Sequence, residues 1–187
     1  MSGRLPDFHQ RVRAEWIDYN GHMSEAFYVL VFGHATDALM DAVGLGPGYR
    51  EESGCSLYTV EAHVRYLREV EDGTPLTLRT RILGVDAKKL RFVHEMYAGP
   101  ADESAAVANG SATIANGSTA VADEPTSVAD EPATVGHELV ATSELFALHV
   151  GGEGSVPFPA EVRERLAGLT EEPPPWAGRA IGPVPRA

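Results

Sequence analysis

Met23-Ser24-Glu25-Ala26-Phe27-Tyr28-Val29-Leu30-Val31-Phe32-Gly33-His34-Ala35-Thr36-Asp37-Ala38-Leu39-Met40-Asp41-Ala42-Val43 is the stretch on which the fold turns. Phe27, Leu30, Val31, His34, Ala35, Ala38, Leu39 and Ala42 recur at i, i+3, i+4 and i+7, the period of a helix face, and Gly44 stands where a helix stop belongs. From Met23 to Val43 such a helix would run about 31 Å at 1.5 Å per residue. Tyr28, Val29, Phe32, Met40 and Val43 extend the apolar surface around most of its circumference. A helix apolar on nearly every side has to be enclosed by other protein.

Strand-like segments on both sides supply the enclosure. Phe8, Val12, Ala14 and Trp16 alternate with polar residues, which predicts a first strand ending at Trp16. Alternation returns over Tyr58 to Tyr66, Leu76 to Ile82 and Leu90 to Met96, with short polar links at Glu71-Asp72-Gly73 and Asp86-Ala87-Lys88 that suit antiparallel neighbours. Strict alternation places Glu61 and His63 on the face opposite Tyr58 and Val60. A fifth strand is expected over Leu139 to Val150 and a short helix over Pro159 to Leu166, while no element is expected between Gly44 and Leu57. The sum is an α+β domain over residues 1–170, a curved antiparallel sheet wrapped around one long central helix.

Two segments stand outside that pattern. Residues 99–136 carry no aromatic side chain and hold tandem echoes such as Ala108-Asn109-Gly110-Ser111 and Ala115-Asn116-Gly117-Ser118, so they are expected to form a low-complexity loop inserted between strands four and five. Residues 171–187 are rich in proline and are expected to form an extended, poorly ordered tail.

Composition narrows the function. With 43% hydrophobic residues in 187, the chain can bury one core. A net charge of −12 argues against a nucleic-acid partner. The apolar run Phe27 to Phe32 is far short of a bilayer span and Met1 to Gln10 has no signal-like core, so a cytoplasmic protein with no membrane partner is expected. Cys55 is the single cysteine, which excludes an internal disulfide. No Gly-x-Ser-x-Gly elbow, zincin motif or phosphate loop is present, and neither a metal nor a separate cofactor is expected.

Ahead of the helix, Ile17-Asp18-Tyr19-Asn20-Gly21-His22 is polar and contains an Asn-Gly pair, the mark of a turn. A carboxylate here could be a helix cap, and Asn20 could serve equally well; the residues alone leave that open.

The run Trp16-Ile17-Asp18-Tyr19-Asn20-Gly21-His22-Met23 resembles the segment before the central helix in hotdog-fold thioesterases of the 4-hydroxybenzoyl-CoA thioesterase family. Together with Phe32-Gly33-His34-Ala35-Thr36-Asp37-Ala38, Tyr58-Thr59-Val60-Glu61-Ala62-His63 and Leu83-Gly84-Val85-Asp86-Ala87-Lys88-Lys89-Leu90, it is similar more narrowly to the betainyl-CoA thioesterases of carnitine breakdown. The likeness covers residues 8–97 and 138–165. It implies hydrolysis of a short, trimethylammonium-type acyl-CoA, with CoA as part of the substrate, by a homodimer or homotetramer. It also implies that Asp18 is the catalytic carboxylate, acting as general base or as nucleophile. Tyr19, Asn20, Gly21 and His22 would shape the site, Gly21 letting the thioester approach the helix end, and Tyr58 and Glu61 would contact substrate. Two other readings stay open: an enoyl-CoA hydratase or dehydratase on the same fold, argued against by the lack of an overhanging element between Gly44 and Leu57, and a non-catalytic acyl-CoA binding module.

Overall fold

The computed structural model describes residues 4–99, 137–152 and 154–178. The expected insert, apart from Gly99, and the end of the tail lie outside those residues. Strands β1 (Phe8–Arg11), β2 (Ser56–Tyr66), β3 (Pro75–Val85), β4 (Lys89–Ala98) and β5 (Glu138–Gly151) form one antiparallel sheet in the order β1-β3-β4-β5-β2, and the short β6 (Gly154–Ser155) pairs with β5. Helix α1 (Glu25–Val43) lies against one face, followed by α2 (Pro47–Ser53); α3 (Ala160–Gly168) comes last. This is the expected α+β hotdog arrangement.

Local chemistry accounts for the strand pairing. At the β3–β4 turn, Asp86 Oδ1 accepts the N–H groups of Lys88 and Lys89, each at 2.8 Å. These two bonds hold the Asp86 carboxyl below its ordinary range. That turn sets the pairing of Val85 with Leu90 and, across a bulge, of Ile82 with Phe92. Leu90, Phe92, His94 and Met96 then all face α1 and are completely buried.

Helix α1 ends as the sequence indicates: Gly44 sits at φ 86°, and the N–H of Leu45 reaches Met40 O at 2.8 Å. By length and apolarity alone α1 could cross a bilayer. Its buried residues Tyr28, Val31, Phe32, Ala35, Leu39 and Val43 instead form one face packed into the sheet.

Four details depart from the sequence reading. Strand β1 stops at Arg11, because Ala14–Trp16 form a 3-10 turn that buries Trp16 in a stack on Phe27, ring centroids 5.5 Å apart. Helix α1 begins at Glu25 rather than Met23, whose N–H is taken by Val70 O at 2.8 Å. The stretch between Gly44 and Leu57 is not free of structure: Pro47 opens helix α2 there. Finally, a bulge at Val60 shifts the β2–β5 register, so that Tyr58 pairs with Leu148 and Glu61 with Phe146. The extra residue puts Tyr58 and Glu61 on the same outer face of the sheet, not on opposite faces.

Residues 171–178 run over that outer face. Glu171 Oε2 accepts from Arg79 Nη2 at 3.0 Å and from Arg81 Nε at 2.9 Å, and the Gly178 N–H donates to Glu144.

Candidate active site

Asp18 is carried on a three-residue hairpin. Ile17 bridges to Met23, the Asp18 N–H donates to His22 O at 2.9 Å, and the Gly21 N–H returns to Asp18 O at 3.0 Å. Gly21 takes the left-handed φ of 86° that closes such a loop. A side chain added at Gly21 would meet no atom of its own chain within 4 Å, so within the chain it is conformation that calls for glycine. Within the loop, Asn20 holds the carboxylate at both oxygens: its N–H donates to Oδ1 at 2.7 Å and its Nδ2 to Oδ2 at 3.3 Å. Each oxygen keeps a further lone pair for a water or a substrate.

The hairpin is pinned to the rest of the molecule from two sides. Ser24 N–H donates to Trp16 O at 2.9 Å and Met23 N–H to Val70 O at 2.8 Å. Ser24 precedes α1 but gives no side-chain cap, so the positive end of the helix is left without an internal acceptor from that side chain. His22 is one-third exposed, with Nε2 3.5 Å from Glu69 Oε2.

The structure therefore gathers Asp18, Asn20, Gly21 and His22 in one turn. Tyr19, at its tip, is 97% exposed. Tyr58 and Glu61 do not join them within one chain. Tyr58 lies eight residues before the end of β2 that meets the hairpin, about 27 Å along the strand, and its hydroxyl accepts from Arg50 Nη1 at 3.4 Å. Glu61 lines a groove of about 560 Å³ on the outer face with His63, Arg91, Glu144 and Phe146. A second cavity, about 320 Å³, lies between α1 and α2 beside Asp37, Asp41 and Arg50. Neither contains Asp18. Burial raises the Asp37 carboxyl above its ordinary range, with Asp41 adding to the shift and His34 opposing it.

Other chemistry-bearing residues are accounted for elsewhere. His34 Nδ1 meets Gln10 Oε1 at 3.3 Å and is a helix-to-strand tie. Lys88 Nζ donates to Ser155 O at 3.0 Å. Among the described residues no cluster of three His, Cys, Asp or Glu side chains is placed to hold a metal ion. The sequence reading missed Glu69, and the signal for it is faint: one acidic residue in a polar link, made notable only by the chain folding it against His22.

Comparison with known proteins gives a consistent picture. The family model of the thioesterase-like superfamily matches residues 12–166. The sequence is 35% identical to the betainyl-CoA thioesterase of Pseudomonas aeruginosa over 99% of both chains. It is 31% identical to the L-carnitine dehydrogenase/betainyl-CoA thioesterase of Rhizobium meliloti, over 97% of this chain but 31% of that longer one. Among solved structures, a protein of Staphylococcus aureus in complex with CoA superposes with a TM-score of 0.71 at 22% identity, over 96% of this chain and 94% of that one. A chain from Pseudomonas putida KT2440 does so with a TM-score of 0.65 at 33% identity, over 96% of each.

Proposed function

The chain belongs to the thioesterase-like superfamily, and from that premise we propose that it hydrolyses betainyl-CoA, or a similarly small trimethylammonium acyl-CoA, to the free acid and CoA with Asp18 as the reacting carboxylate. The observation that carries the assignment is the Asp18 hairpin itself. A thioester expels a good thiolate, so one oriented carboxylate and a polarised carbonyl suffice without a serine triad. Asn20 fixes the orientation, and the end of α1 that Ser24 leaves uncapped offers positive potential where the carbonyl oxygen gains charge. Gly21 closes the hairpin at its left-handed φ, and the empty space around it leaves room for the thioester. Asp18 acts either by drawing a proton from water or by direct attack, and both routes need it ionised. No cofactor enters the reaction.

We further propose that the working unit is a cytoplasmic homodimer joined along β2. Among the described residues that strand is an eleven-residue open edge, with Tyr58 and Val60 49% and 54% exposed. Val29 and Leu30 on α1 are exposed to a similar degree. A second sheet paired edge to edge would cover both, and would close the space beside Asp18 that one chain leaves open. Through such a pairing Tyr58 and Glu61 would reach a site only as part of the other copy.

A thiol-release assay over betainyl-, isovaleryl-, benzoyl- and palmitoyl-CoA tests the substrate reading. Betainyl-CoA is expected to be favoured over isovaleryl-CoA by about tenfold in kcat/KM, the discrimination available from two cation–π contacts. Equal or faster hydrolysis of the neutral substrates would remove the betainyl assignment and leave a general acyl-CoA thioesterase.

A further inference from the structure

A betainyl thioester carries its fixed positive charge one methylene away from the carbonyl under attack. Whatever recognises that charge has to stand near Asp18, with a ring centroid within roughly 6 Å of the bound cation. A trimethylammonium group has no N–H to donate, so hydrogen-bond geometry is useless to it. It is bound by π faces and by negative charge not already neutralised by a lysine or arginine.

The wall next to the Asp18 hairpin has that chemistry. It is the end of β2 and the link after it, residues 66–70. Leu67 and Arg68 donate their N–H groups to Val140 O at 2.8 and 3.1 Å, and Val70 O accepts from Met23, which ties the link to β5 on one side and to the hairpin on the other. Arg68 is committed elsewhere, its Nε donating to Glu138 Oε1 at 2.7 Å. Glu69, one residue on, forms no ion pair with a lysine or arginine among the described residues; its carboxylate lies 3.5 Å from His22 and is 78% exposed. Tyr66 packs edge to face on Tyr28, ring centroids 5.2 Å apart, while remaining 46% exposed. Tyr28 is held in place by donating its hydroxyl to Arg68 O at 3.2 Å. Burial first, then the charge of Glu69, pushes the Tyr28 phenol up to about 12; burial and then Glu25 raise that of Tyr66. Both carboxylates therefore act on this ring pair. Tyr58 offers the opposite environment, since Arg50 sits on its hydroxyl and would repel a cation.

We propose that Tyr66 and Glu69 form the subsite for the trimethylammonium group, Tyr66 giving a ring face and Glu69 the compensating charge, with Glu25 as a second carboxylate close to the ring. The inference rests on the betainyl reading and names the side chains that would give it its specificity.

Its test is the ratio of kcat/KM for betainyl-CoA to that for 3,3-dimethylbutyryl-CoA, in which carbon replaces the quaternary nitrogen. Wild type, Glu69→Gln, Tyr66→Phe and Tyr66→Leu are compared as full-length chains. The expected result is a wild-type ratio of about ten or more, cut about fivefold by Glu69→Gln and by Tyr66→Leu and kept by Tyr66→Phe, which retains the ring. A wild-type ratio of ten that survives both Glu69→Gln and Tyr66→Leu would overturn the subsite while leaving the betainyl reading standing. A parallel fall on both substrates at constant ratio would also overturn it, by assigning these residues to the catalytic turn. A wild-type ratio near one would sink the betainyl reading and the subsite with it.

Discussion

His94 and His22 both stand beside α1, and the fold treats them in opposite ways. His94 is completely buried between Phe32 and Phe92. Thr36 donates its hydroxyl proton to Phe32 O, so His94 Nε2 donates to Thr36 Oγ1 at 3.0 Å, and Nδ1 accepts from Thr80 Oγ1 at 2.9 Å. Each ring nitrogen has a partner, and the neutral imidazole fixes how α1 sits on β3 and β4. His22 is partly exposed, on a hairpin whose carboxylate keeps free lone pairs and whose side-chain contact to Glu69 is long. Buried polar groups stabilise a fold when every valence is met. A reacting group needs the reverse, capacity left over for a substrate.

If that contrast is right, substitutions at the two places should separate activity from stability. The largest effect is expected at the hairpin: Asp18→Asn should lower kcat/KM by about a hundredfold or more, the range of general-base contributions, with the thermal midpoint and circular dichroism unchanged. Turnover within a few-fold of wild type would remove Asp18 from the chemistry under either route. The converse is His94→Ala, which should cost about 3 kcal/mol in urea unfolding, from the lost ring and the unpaired Thr80 hydroxyl, while the folded fraction keeps its kcat. A folded His94→Ala protein as inactive as Asp18→Asn would erase the distinction.

What the sequence disclosed of these two places follows from the range of the forces involved. Helix α1 and the four long strands β2 to β5 were legible because burial of one face imposes a period, and the Asp18 turn because Asn20-Gly21 marks a tight loop. The bulge at Val60 was not, since one extra residue leaves alternation intact on each side while reversing the face that follows. Helix α2 was hidden because Pro47-Gly48-Tyr49-Arg50-Glu51-Glu52-Ser53 buries no residue and so carries no period. Glu171, read as part of a loose tail, finds Arg79 and Arg81 about ninety positions away, and Glu69 finds His22 across forty-seven. Such pairings are set by topology, which local pattern does not contain. The candidate site was thus legible in its hairpin, while the Glu69 charge in its neighbouring wall was not.

Acid sharpens the contrast further, with a smaller effect. Burial pulls the His94 pKa down to about 3, from 6.5 in an unfolded chain. Between those two values the unfolded state binds a proton that the folded state does not, so stability falls as pH falls from 6.5 toward 3. From pH 6.5 to 5 this one group should withdraw about 1.5 kcal/mol. His94→Leu removes the titration, so its unfolding free energy should decline less over the same interval. Carboxylates such as Asp86 contribute equally to both proteins and cancel in the difference. Parallel curves would show that His94 is not the neutral, closed group described.

The smallest expected effect asks how firmly the hairpin has to be set for an open site to work. Gly21 holds a φ of 86°, and no atom crowds the place where a side chain would go. Gly21→Ala therefore incurs only the left-handed backbone penalty, about 1 kcal/mol, and Gly21→Asn less, because asparagine tolerates that region better. If the hairpin's shape is what aims the Asp18 carboxylate, kcat should fall in the order glycine, asparagine, alanine, with KM moving little. The loss should remain well short of that in Asp18→Asn, since the carboxylate and Asn20 are still present. Alanine and asparagine variants with equal kcat would mean that strain at Gly21 is absorbed without turning Asp18. A change in KM alone would instead place position 21 against the substrate, in the role in thioester approach that the resemblance implies.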